Sequence, residues 1–128
     1  MYINGALKDS AKKTYRGTID FKNGCKGSTG DEQEKVLVLS KETTNNSIPV
    51  ILCDEEDVQG EHGCSIGRLS NEILFYMESR GIEAKSAEKI IARAIINAVL
   101  SKIPQDEKVL KLSEDFLNKI FGCENKSI

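Results

Sequence analysis

The spacing of apolar residues changes once along this chain. Up to residue 53 they come in short runs or on alternate positions, and from residue 70 they recur every three or four. The first pattern predicts strands and the second helices. Residues 14–22 alternate in part, with Tyr15, Ile19 and Phe21 on one side and Gly17 interrupting the row. Residues 36–40, Val-Leu-Val-Leu-Ser, suit a strand covered on both faces. Residues 48–53 form a third candidate, with Pro49 near the start, where a missing N–H is tolerated. Asn23-Gly24, residues 27–30 and residues 43–47 carry turn and loop chemistry. Residues 1–13 are ambiguous: Tyr2-Ile3-Asn4-Gly5 suits a strand and turn, and residues 6–13 suit a short helical turn. The connections are neither two-residue hairpins nor helical crossovers, which argues against a doubly wound sheet. Stacked β-coils and a compact antiparallel sheet both remain compatible with this spacing.

Three helices are predicted after residue 70. Ser70 is a natural N-cap, Ile73, Leu74 and Met77 share a face widened by Phe75 and Tyr76, and Gly81 supplies the stop after Arg80. A second helix, from residue 85 or 86 to 102, carries Ala87, Ile90, Ile91, Ala94, Ile95, Ala98 and Val99 at the 3.6-residue period. Lys89, Arg93 and Asn97 occupy its other face. Pro104 is placed to seat the first turn of a third helix. Its stripe is Val109, Leu110, Leu112, Phe116, Leu117, Ile120 and Phe121, and Gly122 ends it. Residues 123–128 are expected to form a loose tail. The pattern divides the chain into a β part, 1–67, and a helical part, 68–128.

Composition narrows the class. With 128 residues, 39% apolar and 30% charged, the chain is ordinary for a folded domain. Net charge is −2, which leaves no global basic footprint for nucleic acid. The charge is uneven: residues 1–30 hold six Lys/Arg against two acids, and residues 31–62 hold nine acids against two Lys. Such blocks suit a solvated surface or a subunit contact. The start lacks the apolar core of a signal peptide, and residues 90–100, with Arg93 and Asn97, are too short to span a bilayer. A cytoplasmic protein with no membrane insertion is expected. Cys25, Cys53, Cys64 and Cys123 form no C-x-x-C pair, so free thiols are expected. The abrupt opening reads as a piece of a longer chain.

Candidate chemistry gathers between residues 53 and 64. Thiolate and imidazole are ligands for iron, zinc or an iron–sulfur species. His62, the single histidine, and Cys64 fall on the same side of an extended segment. Cys53 joins them only if the acidic turn 54–57 folds back. That turn does not match an EF-hand loop. Residues 24–30 are glycine-rich but lack the Gly-Lys-Ser/Thr of a phosphate-binding loop, and no nucleophile elbow is present. A small metalloenzyme built on Glu61, His62 and Cys64 would need an enclosed, open-coordinate pocket.

Several strings resemble one family. Arg16-Gly17-Thr18-Ile19-Asp20-Phe21, Val36-Leu37-Val38-Leu39-Ser40, Pro49, Glu56-Asp57-Val58-x-Gly-x-His62-Gly63-Cys64-Ser65-Ile66-Gly67 and Leu74-Phe75-Tyr76-Met77-x-Ser79-Arg80-Gly81-Ile82 resemble, in order and separation, the C-terminal part of the SufB/SufD family. These are scaffold components of the SUF iron–sulfur cluster assembly system, and the likeness is to the SufD type. The resemblance implies a mixed β and α fold: terminal coils of a right-handed parallel β-helix, then a C-terminal three-helix domain. It implies a non-catalytic subunit that pairs with a SufB/SufD-type subunit, homo- or heterodimeric, and docks the SufC-type ATPase. It further implies a transient iron–sulfur cluster rather than a tightly bound cofactor, with His62 as a candidate ligand; Cys64 and Cys53 are candidate ligands by their chemistry alone and stand where the SufD pattern has other residues. Leu74, Phe75, Tyr76, Arg80 and Arg93 are the implied partner-binding residues. The chain departs from the family in lacking most of the β-helix, and the scaffold cysteine of SufB-type members falls near Glu34. The competing expectation is a purely structural, self-associating β-helix fragment without metal, joined through exposed strand edges.

Overall fold

The computed structural model describes residues 1–104 and 106–122. The tail expected at residues 123–128 lies outside the described residues. The chain divides into two compact units, Met1–Arg68 and Leu69–Ile128. The first holds five strands: β1 (Tyr2–Leu7), β2 (Lys12–Phe21), β3 (Thr29–Val38), β4 (Thr44–Cys53) and β5 (Gln59–Arg68). The second holds three helices: α1 (Asn71–Ser79), α2 (Ala84–Leu100) and α3 (Glu107–Phe121). The fold is mixed β and α.

Consecutive strands alternate between two sheets. One sheet has the order β1-β3-β5 and the other is the pair β2-β4. All three pairings are parallel: Tyr2 lies beside Gln33, Lys12 beside Thr44, and Thr29 beside Gln59. The antiparallel alternative is therefore excluded for these strands. Each strand pairs with the next but one, so every connection carries the chain to the opposite sheet before it returns.

The two sheets meet along alternate residues. A Cβ on Gly30 would stand 2.7 Å from Ile19 Cγ2, and one on Gly60 would stand 2.9 Å from Phe21 Cε2. Glycine is needed at both places because the facing side chains already fill the layer. Phe21, Val36 and Leu37 are the buried apolar residues of this unit. The inner layer changes character along the strands. Ile19, Phe21 and Ile51 pack near Gly30 and Gly60, whereas Lys13, Tyr15, Glu32, Glu34, Asn45 and Ser47 make the neighbouring stretch polar. Outside, Ile48, Val50 and Leu52 form an exposed apolar row on β4.

The structure corrects five expectations. Residues 6–13 make no helical turn: they end β1 and begin β2. Strand β3 starts at Thr29, inside the stretch read as turn and acidic loop, and β4 starts at Thr44 rather than Ile48. Strand β5 is new, because its three glycines and polar residues hide it from propensity; its partner β3 supplies the ladder. Pro104 does not open α3, since Asp106 is the N-cap and its side chain accepts from the Val109 N–H at 2.8 Å.

In the helical unit, Ser70 caps α1 through the Glu72 N–H, and Gly81 closes it with φ +82. Ala87 and Ala92 are the buried residues of α2 and Leu117 that of α3. The inner face of α2 is thus rotated from the expected stripe: Ile90, Ala94 and Ala98 are exposed, and Ile91, Ile95, Ile96 and Val99 are half-buried. Among the described residues no helix is long and apolar enough to cross a membrane.

Candidate functional site

His62 and Cys64 stand on β5, the outer strand of its sheet. Parallel pairing places His62 beside Glu32 and Cys64 beside Glu34 on β3. Gly60 shares their row, and its missing Cβ faces Phe21 and Ile51 of the opposite sheet. Strand alternation therefore turns His62 and Cys64 toward the interior as well. Both are nonetheless exposed, because among the described residues no further strand lies beyond β5. Glu61 falls on the opposite face of the strand, so Glu61, His62 and Cys64 do not converge as a metalloenzyme pocket would need.

Beneath this open row lie two buried carboxylates. Glu32 is 2% and Glu34 3% exposed. The Lys13 ammonium pairs with Glu34 Oε1 and also donates to Asn45 Oδ1 at 3.2 Å. Asn45 Nδ2 donates to Ser47 Oγ at 3.0 Å. The Cys64 thiol donates to Glu34 Oε2 at 3.3 Å. Burial raises the Glu34 carboxyl, but hydrogen bonds from Lys13, Ser47 and Cys64 and the Lys13 charge outweigh it, holding the group below the ordinary value. Burial, then the hydrogen bond to Glu34, pushes the Cys64 thiol up. Cys64 is thus kept as a neutral thiol while Glu34 is ionised.

Glu32 is arranged differently. Its carboxylate lies against Gly17, where a Cβ would stand 2.3 Å from Oε1 and 2.4 Å from Oε2. The Tyr15 hydroxyl stands at the same point and donates to Met1 Sδ at 3.9 Å; burial, then the neighbouring Glu32 carboxylate, raises the Tyr15 pKa. Glu32 Oε2 is buried with no hydrogen-bond partner. Sequence reasoning missed both glutamates. The signal was present as Glu32-x-Glu34-x-Val36, a period-two row ending on an apolar residue, but two acids on a core face contradict the usual burial rule.

Cys64 also borders an open groove of about 620 Å³, lined with it by Thr14, Arg16, Asn45, Asn46 and Ser47. Cys53 is not brought to this place. It ends β4 in the other sheet, is exposed, and its thiol donates to the Glu55 carbonyl at 3.1 Å. Among the described residues no three of His, Cys, Asp and Glu stand close enough to hold a metal ion. The expected free thiols are found at Cys25, Cys53 and Cys64; Cys123 lies outside the described residues.

The expected partner residues separate into two kinds. Phe75 is 74% exposed, and Tyr76, also exposed, carries the Arg80 guanidinium 5.2 Å over its ring. Leu74, by contrast, is half-buried. Arg93 is engaged inside the unit, donating from Nη1 to Asn118 Oδ1 at 3.1 Å and tying α2 to α3.

Comparison with known proteins gives this geometry a context. Residues 1–95 match the family described as SUF system FeS cluster assembly, SufBD core domain. The chain is 31% identical over 101 residues to the iron–sulfur cluster assembly protein SufD of Bacillus subtilis, covering 79% of this chain and 23% of that protein. It is 30% identical over 102 residues to a SufBD family protein of Staphylococcus saprophyticus, covering 80% and 22%. A SufBD family protein of Staphylococcus aureus is 29% identical over the same length. The chain spans less than a quarter of these relatives. The family match takes in all five strands, the open row bearing His62 and Cys64, the buried acids beneath it, α1 and the greater part of α2. The chain belongs to the SufBD family of the SUF iron–sulfur cluster assembly system.

Proposed function

We propose that this chain is a non-catalytic scaffold subunit, or part of one, in cytoplasmic iron–sulfur cluster assembly. Its five strands act as the last coils of a right-handed parallel β-helix, a reading supported by the parallel pairing of every strand with the next but one. It pairs with a SufB/SufD-type subunit and docks the SufC-type ATPase through its helices. Iron and sulfide are cargo here, held only while a cluster forms.

The observation that carries the reading is the open row on β5. His62 offers an exposed imidazole on β5, the outer strand of its sheet among the described residues. A neutral ring nitrogen is a good ligand for borderline iron. Cys64 becomes a ligand only after losing its proton, and Glu34, already bonded to the thiol, is the neighbouring group through which that proton can leave. The groove beside Cys64 leaves room for a donor from the paired subunit. Cys53, in the other sheet, is not assigned to this site.

For the helices, Phe75 and Tyr76 are the proposed anchors, since large exposed aromatics commonly carry interface energy. The Arg80 guanidinium stacked on Tyr76 stiffens that patch before binding. Arg93 is reassigned from partner contact to internal bracing. Co-purification with the SufC-type ATPase tests this. Wild type and Arg93→Lys are expected to retain the ATPase, and Phe75→Ala/Tyr76→Ala to weaken it at least tenfold with helicity unchanged. Equal retention by all three would remove the docking assignment.

A second reading is favoured by the exposed row Ile48, Val50 and Leu52 on β4. It makes the chain a metal-free structural element that pairs by its sheet. Identical spectra for wild type and His62→Ala after anaerobic addition of iron and sulfide would favour it over the scaffold reading.

A further inference from the structure

Glu32 has no structural explanation in the contacts so far described. Its side chain is almost fully enclosed, yet Oε2 has no hydrogen-bond partner. A buried carboxylate in this state is costly unless something positive meets it. Lys13 cannot serve, because it is committed to Glu34 and Asn45. The Tyr15 hydroxyl lies beside the carboxylate but donates to Met1 Sδ, and it brings no charge. Gly17 is where the opposite sheet makes room for the group, and any side chain there would displace it.

The register shows what else lies close along the sheet. The next residue on Glu32's row is His62, on the neighbouring strand and turned to the same face. A buried carboxylate oxygen lacking a partner therefore stands in register with an exposed imidazole at the edge of the sheet. An oxygen and a nitrogen donor together suit a divalent first-row metal rather than a soft, thiolate-seeking one. Deep placement of the oxygen and surface placement of the nitrogen give such an ion an entry path.

We propose that Glu32 is a metal donor: its Oε2 and the His62 imidazole together bind a divalent first-row ion such as Fe(II) at the open end of the sheet. This rests on the reading of His62 as an iron ligand and adds a residue to it. Two donors from this chain leave the remaining positions to water or to a second subunit, in keeping with the absence of a three-residue cluster among the described residues. Glu32 therefore provides a first station for mononuclear iron, before sulfide enters. Glu34, tied to Lys13 and Cys64, is not part of it.

The test uses the full chain, Fe(II) under anaerobic conditions, and Co(II) as a spectroscopic stand-in. Binding is followed by equilibrium dialysis and by the Co(II) visible spectrum, for wild type, Glu32→Gln and His62→Ala. Glutamine keeps the volume of Glu32 and removes its charge. Each variant is also melted with and without metal. The expected result is at least a tenfold loss of affinity in both variants, a changed Co(II) spectrum in each, and metal-induced stabilisation confined to wild type. Metal-free Glu32→Gln is expected to melt at or above wild type, because it no longer buries an unmatched charge. If Glu32→Gln binds metal like wild type while His62→Ala does not, the Glu32 assignment is overturned and the His62 reading survives. If both variants bind like wild type, or wild type takes up no metal, both readings fall.

Discussion

At Gly17 a single absent methyl group lets two polar side chains meet inside the sheets. The Glu32 carboxylate and the Tyr15 hydroxyl occupy the space a Cβ would take, the nearer atoms at 2.3 Å. Gly17→Ala is expected to cost about 1–3 kcal/mol, the range for overpacking a filled interior, read as a lower urea midpoint. Gly5 is the control: nothing lies within 4 Å of its would-be Cβ, so Gly5→Ala should be neutral or stabilising by about 0.4–1 kcal/mol. Lys13 and Glu34 give a pH prediction. The folded-state carboxyl of Glu34 lies below the ordinary value of 4.5, so its contribution is complete above that value and is lost as pH falls through the folded-state one. Lys13→Met should lower stability at neutral pH by about 2–3 kcal/mol, under the range for a fully enclosed pair because the lysine is partly solvated. It should also flatten the acid-side loss in a pH series of urea melts. Cys64, held as a thiol, should alkylate slowly with iodoacetamide at pH 8, and Glu34→Gln should speed it by removing the neighbouring charge. An unchanged rate in that variant would show that Glu34 does not control the thiol. Little of this was legible in the sequence: Glu32 and Glu34 share a period-two row with Val36, but as acids they look like surface residues.

Among the elements, the helices were the most legible. Ser70, Gly81 and Gly122 stand at their ends as their chemistry predicts, and α3 keeps Leu117 on its inner side. What the periodicity missed was orientation. Ala92 is buried and Ala94 and Ala98 are exposed, because a helix rich in small and branched residues offers several competing faces and its neighbours select one. Asp106→Ala should cost about 0.5–2 kcal/mol, since it removes the acceptor for the Val109 N–H, and amide exchange should rise at the start of α3 alone. Strands were read where their side chains are apolar and missed where they are not. Strand β5 carries Gly60, Gly63 and Gly67 and a lone β-branched residue, Ile66. Its conformation is set by ten register partners on β3 rather than by its own preferences. The same holds for the first half of β3, where the acidic row gains its place from Lys13 and Gly17 on the facing strand.

For the whole molecule, the sequence separated a β part from a helical part, and the structure divides into compact units at nearly that position, after Arg68. The pairing of each strand with the next but one could not be read from spacing, because parallel ladders join residues far apart in the chain and leave no local turn signature. The family strings carried what spacing could not. Their order fits the succession of strands, and the match over residues 1–95 reaches from the first strand into α2. The central claim is that the edge strand β5 presents His62 to iron in a scaffold completed by a second subunit. The most direct measurement is the iron and sulfide content of this chain, purified anaerobically with a SufB-type subunit and the SufC-type ATPase, for wild type and His62→Ala. The account predicts iron and sulfide together on the wild-type complex and at least a tenfold loss of both in the variant, with the complex still assembled. Equal iron and sulfide on the two complexes would contradict it.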